Sequence, residues 1–169
     1  MHFCGRPFRT YMGLGLQNQS RTKEALAVAV IKEKKFKISS VIENLLPSGL
    51  IDGEAERTEI SPDGFLKISE GEYEITYSEL TEGGKVVSDI TVTERSVRVK
   101  RAGAVESDML FEEGLAHKSV YTVEPYSFDV EIATRKIRNN MTRDSGMLDI
   151  HYSMKIGGAD KAVRMKIEY

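Results

Sequence analysis

From Phe65 to Tyr169 apolar residues recur at every second position in short runs, the period of strands with one face buried and the other in water. Ile75 and Tyr77, Ile90 and Val92, Val97 and Val99, Val130 and Ile132, Leu148 and Ile150, and Met165 and Ile167 carry it. Turn chemistry divides the runs at Ser61-Pro62-Asp63-Gly64, Glu82-Gly83-Gly84-Lys85, Ala102-Gly103, Glu113-Gly114, Glu124-Pro125, Arg143-Asp144-Ser145-Gly146 and Gly157-Gly158. There glycine supplies positive φ and proline presets it. The spacing predicts strands over 36–46, 65–69, 72–80, 86–93, 96–101, 108–111, 118–123, 127–134, 147–156 and 162–168. With one apolar face per strand and no helices to cover it, the sheet buries that face by curling on itself, which also removes its edges. The expectation is an all-β chain: a single antiparallel up-and-down β-barrel of about 8–10 strands over residues 31–169.

Residues 1–30 lack the period. Gly5, Gly13, Gly15 and the polar Gln17-Asn18-Gln19-Ser20 read as an N-terminal extension outside the barrel, disordered or a short helix, with helical character over 22–31. Lys23-Glu24-Ala25 is also codable as a purine-rich ribosome-binding sequence, with Val28 or Val30 as a valine-codon start; the extension is then untranslated. A second helical candidate, 44–51, is opposed by Pro47 and Gly49.

Parity assigns the faces, because residues two apart share a side of the sheet. Tyr73, Ile75 and Tyr77 form one inward row, Phe128 to Thr134 a second and Leu148 to Ile156 a third; Met109 and Phe111 join them. On the strand at 96–101, Arg101 shares parity with Val97 and Val99 and so points inward. An unpaired buried charge costs several kcal/mol, so Arg101 needs a carboxylate, carbonyl or tyrosine partner, or an anionic ligand. As a plug it snorkels at the strand's end; as an anchor it meets ligand. Parity offers Glu113 as the carboxylate. Tyr73, Tyr77, Tyr121, Tyr126 and Tyr152 bring polar tips on apolar bodies, which suits either a pocket lining or an ordinary barrel core.

Composition narrows the function classes. The 169 residues suit one domain, and the net charge of −2 with charges finely interspersed argues against a nucleic-acid partner. A single cysteine forms no internal disulfide, which favours the cytoplasm, and no apolar run is long enough for a membrane helix. His2, His117, His151 and Cys4 show no metal-ligand spacing, and no nucleophile elbow or phosphate loop is present, so neither a cofactor nor a metal is expected and catalysis is not.

The succession Gly71-x-Tyr73-x-x-x-Tyr77, Arg101-x-Gly103, Met109-x-Phe111-x-x-Gly114, Tyr121 before Pro125-Tyr126, Thr134-x-x-Ile137 and Gly146-x-Leu148-x-Ile150-x-Tyr152 resembles the YwiB-like family of small bacterial proteins. The resemblance covers residues 36–169; Ser127 departs from it, standing where the family pattern has glycine. It implies a calycin-like, lipocalin-type barrel and carries over no activity and no catalytic residue. About eight strands leave an interior that side chains or one small molecule can fill. The leading expectation is therefore a barrel that binds a small apolar or anionic ligand in its lumen, with Arg101, Tyr73, Tyr77, Phe111, Tyr121, Tyr126 and Tyr152 as the site. The alternative is a solid-core interaction module, homodimeric or with another partner; an enzyme with a site at the barrel mouth ranks last.

Overall fold

A computed structural model describes residues 28–169, and every regular element in it is a strand. In chain order these are β1 (Val30–Lys35), β2 (Lys37–Leu45), β3 (Ile51–Ile60), β4 (Asp63–Ser69), β5 (Glu72–Thr81) and β6 (Gly84–Val92). There follow β7 (Ser96–Gly103), β8 (Glu106–Glu112), β9 (Ala116–Val123), β10 (Tyr126–Asn139), β11 (Met147–Ile156) and β12 (Ala159–Glu168). All ladders are antiparallel, and from β4 to β12 each strand pairs with the next.

Closure comes from the first four segments. Residue pairs run from Val30↔Ile68 to Lys35↔Asp63, the amide of Phe36 donates to Pro62 O at 2.9 Å, and pairing resumes at Ile38↔Ile60. Thus β1 runs into β2 and β3 into β4, making two long bent strands in one hairpin. β2 pairs on its other side with β12, from Lys37↔Glu168 to Leu45↔Asp160, which ties the last strand to the first. The barrel therefore has ten staves in up-and-down order, at the upper limit expected from the sequence.

Two departures concern β1 and β3. The helix expected over 22–31 lies outside the described residues as far as residue 27, and at its end Val30 and Ile31 open a strand instead. β3 has no counterpart in the expected strands: it pairs only with β2 among the described residues and is exposed at most positions. β10 also runs past Thr134 to Asn139, through a bulge that leaves Arg135 without an opposite number between Thr134↔Tyr152 and Lys136↔His151.

The inward residues meet as one apolar cluster. Ile75, Ile90, Val92, Phe111, Ile132, Leu148, Ile150 and Ile167 are all at most 1% exposed. Each such side chain contributes about 1.5–3 kcal/mol relative to exposure. One end of the barrel is stopped by the β10–β11 connection: Tyr73 donates to Met141 O at 2.9 Å, Tyr169 to Thr142 O at 2.6 Å, and Lys32 pairs with Asp144 at 2.7 Å. The opposite end, where β7 finishes and β8 begins, holds Arg101.

Candidate functional site

Arg101 stands at one level of the barrel in a rung set by register. Gly64, Tyr77, Ser88, Arg101, Ser107, Tyr121 and Phe128 lie opposite one another in turn across β4 to β10. Every member shares the inward face, so the rung crosses the lumen wall as a polar and aromatic belt above the apolar cluster. Gly64 is required here: a Cβ would run into Thr76 O and come within 3.1 Å of the Phe36 ring.

Within the belt Arg101 is half-buried and donates to Glu79 Oε1 at 3.2 Å, with side-chain exposures of 31% and 18%. Burial opposes its charge, but Tyr77, Glu79 and Tyr121 outweigh that penalty and hold its pKa above the ordinary value. Glu113 is not the partner. The antiparallel register sets Arg101 opposite Ser107 at the start of β8, so Glu113, beyond the end of β8, lies at the other end of the barrel and accepts from the Ile137 amide at 3.2 Å. On either side of Arg101 the hydroxyls of Ser88 and Ser107 are buried with no hydrogen-bond partner in the protein. A buried polar group in that condition costs about 1–3 kcal/mol.

The wall is interrupted beside this belt. The β8–β9 ladder stops after Glu106↔Thr122 and Ser107↔Tyr121, and below it the Ser119 hydroxyl donates to Asp108 O at 2.7 Å in place of backbone pairing. A groove of about 740 Å³ runs along the gap, with Arg101, Ser107, His117, Ser119 and Val120 in its lining. At its rim Arg98 clasps Asp108 through Nε and Nη2 at 2.7 and 2.6 Å, and His117 Nε2 lies 2.7 Å from Glu112 Oε2.

The structure divides the other candidate residues. Tyr77, Phe111 and Tyr152 belong to the apolar core, where Phe111 and Tyr152 pack edge to face with centroids 4.9 Å apart. Burial pushes the Tyr152 phenol up to about 12, against the opposing pull of Arg101. Tyr121 is half-buried in the belt beside Ser107. Tyr73 is committed at the stoppered end to Met141. Tyr126 is 66% exposed at the first position of β10, beyond the level at which its inward parity buries a side chain. Glu79, Ser88 and Ser107 go unnoticed in the sequence. Glu79 shares parity with Tyr77, which was signal enough; the serines carry no signal apart from register.

Among the described residues no group of three or more His, Cys, Asp or Glu side chains is placed to hold a metal ion, and no helix is long and apolar enough to cross a membrane.

A family model described as a domain of unknown function, DUF1934, matches residues 48–168. The uncharacterised β-barrel protein YwiB of Bacillus subtilis (strain 168) is 28% identical over 120 residues, covering 71% of this chain and 80% of the relative. The crystal structure of the ywiB protein from Bacillus subtilis matches with a TM-score of 0.70 at 25% identity, over 82% of this chain and 92% of that one. Sequence and fold thus point the same way, and the chain belongs to the DUF1934 family of β-barrel proteins.

Proposed function

We propose that this barrel binds a small amphipathic or anionic ligand in the groove between β8 and β9, with its polar head against Arg101. The carrying observation is the pair of unpartnered hydroxyls, Ser88 and Ser107, flanking a half-buried guanidinium in one rung. Glu79 occupies one edge of the Arg101 fork, and an arginine has five N–H donors, so donors remain for an incoming oxygen. Apolar side chains fill the lumen below, so the reading sets the ligand at the mouth rather than deep inside, with Val120 and Leu110 offering apolar contact. Calycin-like membership and a cytoplasmic location belong to the same proposal.

Native mass spectrometry of protein purified from its own host tests it, followed by identification of what denaturation releases. A stoichiometric molecule that Ser107→Ala and Arg101→Met both deplete is the expected result. Release of nothing, with no amide shifts at β7–β9 in the presence of host metabolite extract, overturns it.

One observation favours a second reading, the interaction module. Leu46, Leu50, Ile51, Leu80, Val123 and Tyr126 are all exposed and lie in or next to the turns at the Arg101 end of the barrel. A homodimer in sedimentation equilibrium that Leu50→Ser and Leu80→Ser dissolve supports it; a monomer at all concentrations counts against self-association.

A further inference from the structure

The sequence scatters its charges, but the register gathers basic side chains on the outer face at the side of the barrel formed by β10, β11, β12, β2 and β3. Arg57, Val41, Arg164, His151 and Lys136 lie opposite one another in turn, forming a rung across five strands. The bulge on β10 adds Arg135 beside Lys136. Beneath them sits Asp149, which has outward parity yet is only 1% exposed. Arg164 clasps it through Nε and Nη2 at 2.9 and 2.8 Å, His151 Nε2 lies at 3.3 Å and Arg138 Nη1 at 3.8 Å.

A buried carboxylate serving several cations acts as an anchor. It fixes Arg164 in one rotamer and leaves the outer edge of its guanidinium free to donate. Arg57, Arg135 and Lys136 form no ion pair and no side-chain hydrogen bond among the described residues. In this rung and the rungs beside it, Arg57, Arg135, Lys136, Arg138 and Arg164 stand near three carboxylates, Asp149, Glu43 and Glu59, of which Glu59 is paired with Lys37, in a chain whose net charge is −2. The rung borders a groove of about 380 Å³, with Arg57, Arg135, Arg164, His151, Val41 and Glu43 in its lining.

We propose that this groove binds an anion built of linked phosphates, either free or carried by a nucleotide. Planar guanidinium forks match phosphate oxygens two at a time, and a preorganised fork loses less entropy per bond than a lysine. Strands stand about 4.8 Å apart, so Arg57 and Arg164 are separated by two intervals, roughly 10 Å, with Arg135 a similar distance across the other side. One phosphate reaches the central arginine only; a chain of them spans to the flanking pair. This site is on the outer wall, independent of the groove at Arg101.

The test is amide chemical-shift mapping and calorimetry on the full chain with orthophosphate, tripolyphosphate and ATP, plus a single-stranded oligonucleotide. The expected result is tripolyphosphate binding at least about tenfold tighter than orthophosphate, with shifts confined to β10–β12, β2 and β3. Arg57→Ala with Arg135→Ala should weaken it by about tenfold per guanidinium removed while leaving the melting temperature unchanged, since neither side chain holds the fold. Equal affinity for ATP and tripolyphosphate assigns recognition to the phosphates alone; tighter ATP binding adds a contact to its nucleoside. Equal affinity for orthophosphate and tripolyphosphate, or full affinity in the double variant, overturns the proposal. So does an oligonucleotide that outcompetes tripolyphosphate with shifts spreading beyond the rung, which would make the face a nucleic-acid surface.

Discussion

Arg101 on β7 reaches past the intervening strand β6 to Glu79 on β5, closing a 3.2 Å ion pair across the inside of the barrel mouth. Removing one member strands the other in a half-buried setting, whereas removing both with apolar replacements strands neither. Glu79→Met and Arg101→Met should each lower stability by about 1–2 kcal/mol, and the double variant should lose less than the two combined. Urea denaturation of all four proteins checks this; strict additivity would show that the pair carries no coupling.

The Tyr152 phenol gives the barrel an alkaline limit. Its ordinary value is 10.0 and burial moves it to about 12 in the folded chain. A raised folded pKa means that the unfolded chain gives up its proton first as pH rises. The stabilisation is therefore complete below about pH 10 and is lost as pH climbs through about 12. Tyr152→Phe should flatten the fall in melting temperature across that window by an amount equivalent to about 2–3 kcal/mol.

Asp149 sets the acid limit on the outer wall. The Arg164 fork, with further help from His151, holds its carboxyl below the usual value of 3.8 against the penalty of burial. A lowered folded pKa contributes stability above the unfolded value, and that contribution fades as pH falls through the folded one. Asp149→Asn should cost about 2 kcal/mol at neutral pH and leave stability less sensitive to acid below about pH 4. Thermal melts of both proteins between neutral and strongly acid pH decide it.

Gly64, like Gly103 at the same end, leaves no space for a side chain. Its Cβ has no room between Thr76 O, the Tyr77 Cβ at 3.0 Å and the Phe36 ring. Gly64→Ala should cost about 2 kcal/mol or more by pushing β4 from β5, whereas Gly83→Ala, with its nearest neighbour at 3.5 Å, should cost less. Chemical denaturation of the two variants gives the comparison.

The strands from β5 onward were legible because Ile75, Ile90, Val99, Ile132 and Ile150 alternate with polar neighbours over a water-facing outer side. β1 hides from the same reading: its positions opposite Leu66 and Gly64 are Lys32 and Lys34, whose ammonium groups run to Asp144 and its carbonyl. β3 hides because an edge strand exposed on both sides has no apolar face to display, and Asp52, Glu54, Glu56 and Glu59 blunt it against further pairing. At the site, parity identified Arg101 as inward but chose Glu113 over Glu79. Parity fixes a face; only register fixes a height, and height separates those two carboxylates. Asp149 illustrates the remaining gap, since burial on an outer face comes from arginines on neighbouring strands, not from its own strand's pattern.

The seam between β2 and β12 has a consequence for how the barrel is made. Ile38 faces Ile167 across it, joining segments from opposite ends of the described chain. A growing polypeptide holds the hairpin of β1 to β4 early and extends it through β5, yet its β2 edge has nothing to pair with until β12 has left the ribosome. Closure is thus the last event of assembly and the slowest kind of contact to find. Until then both flanks of the sheet stand open, and the nascent chain is at its most vulnerable to pairing with a neighbour.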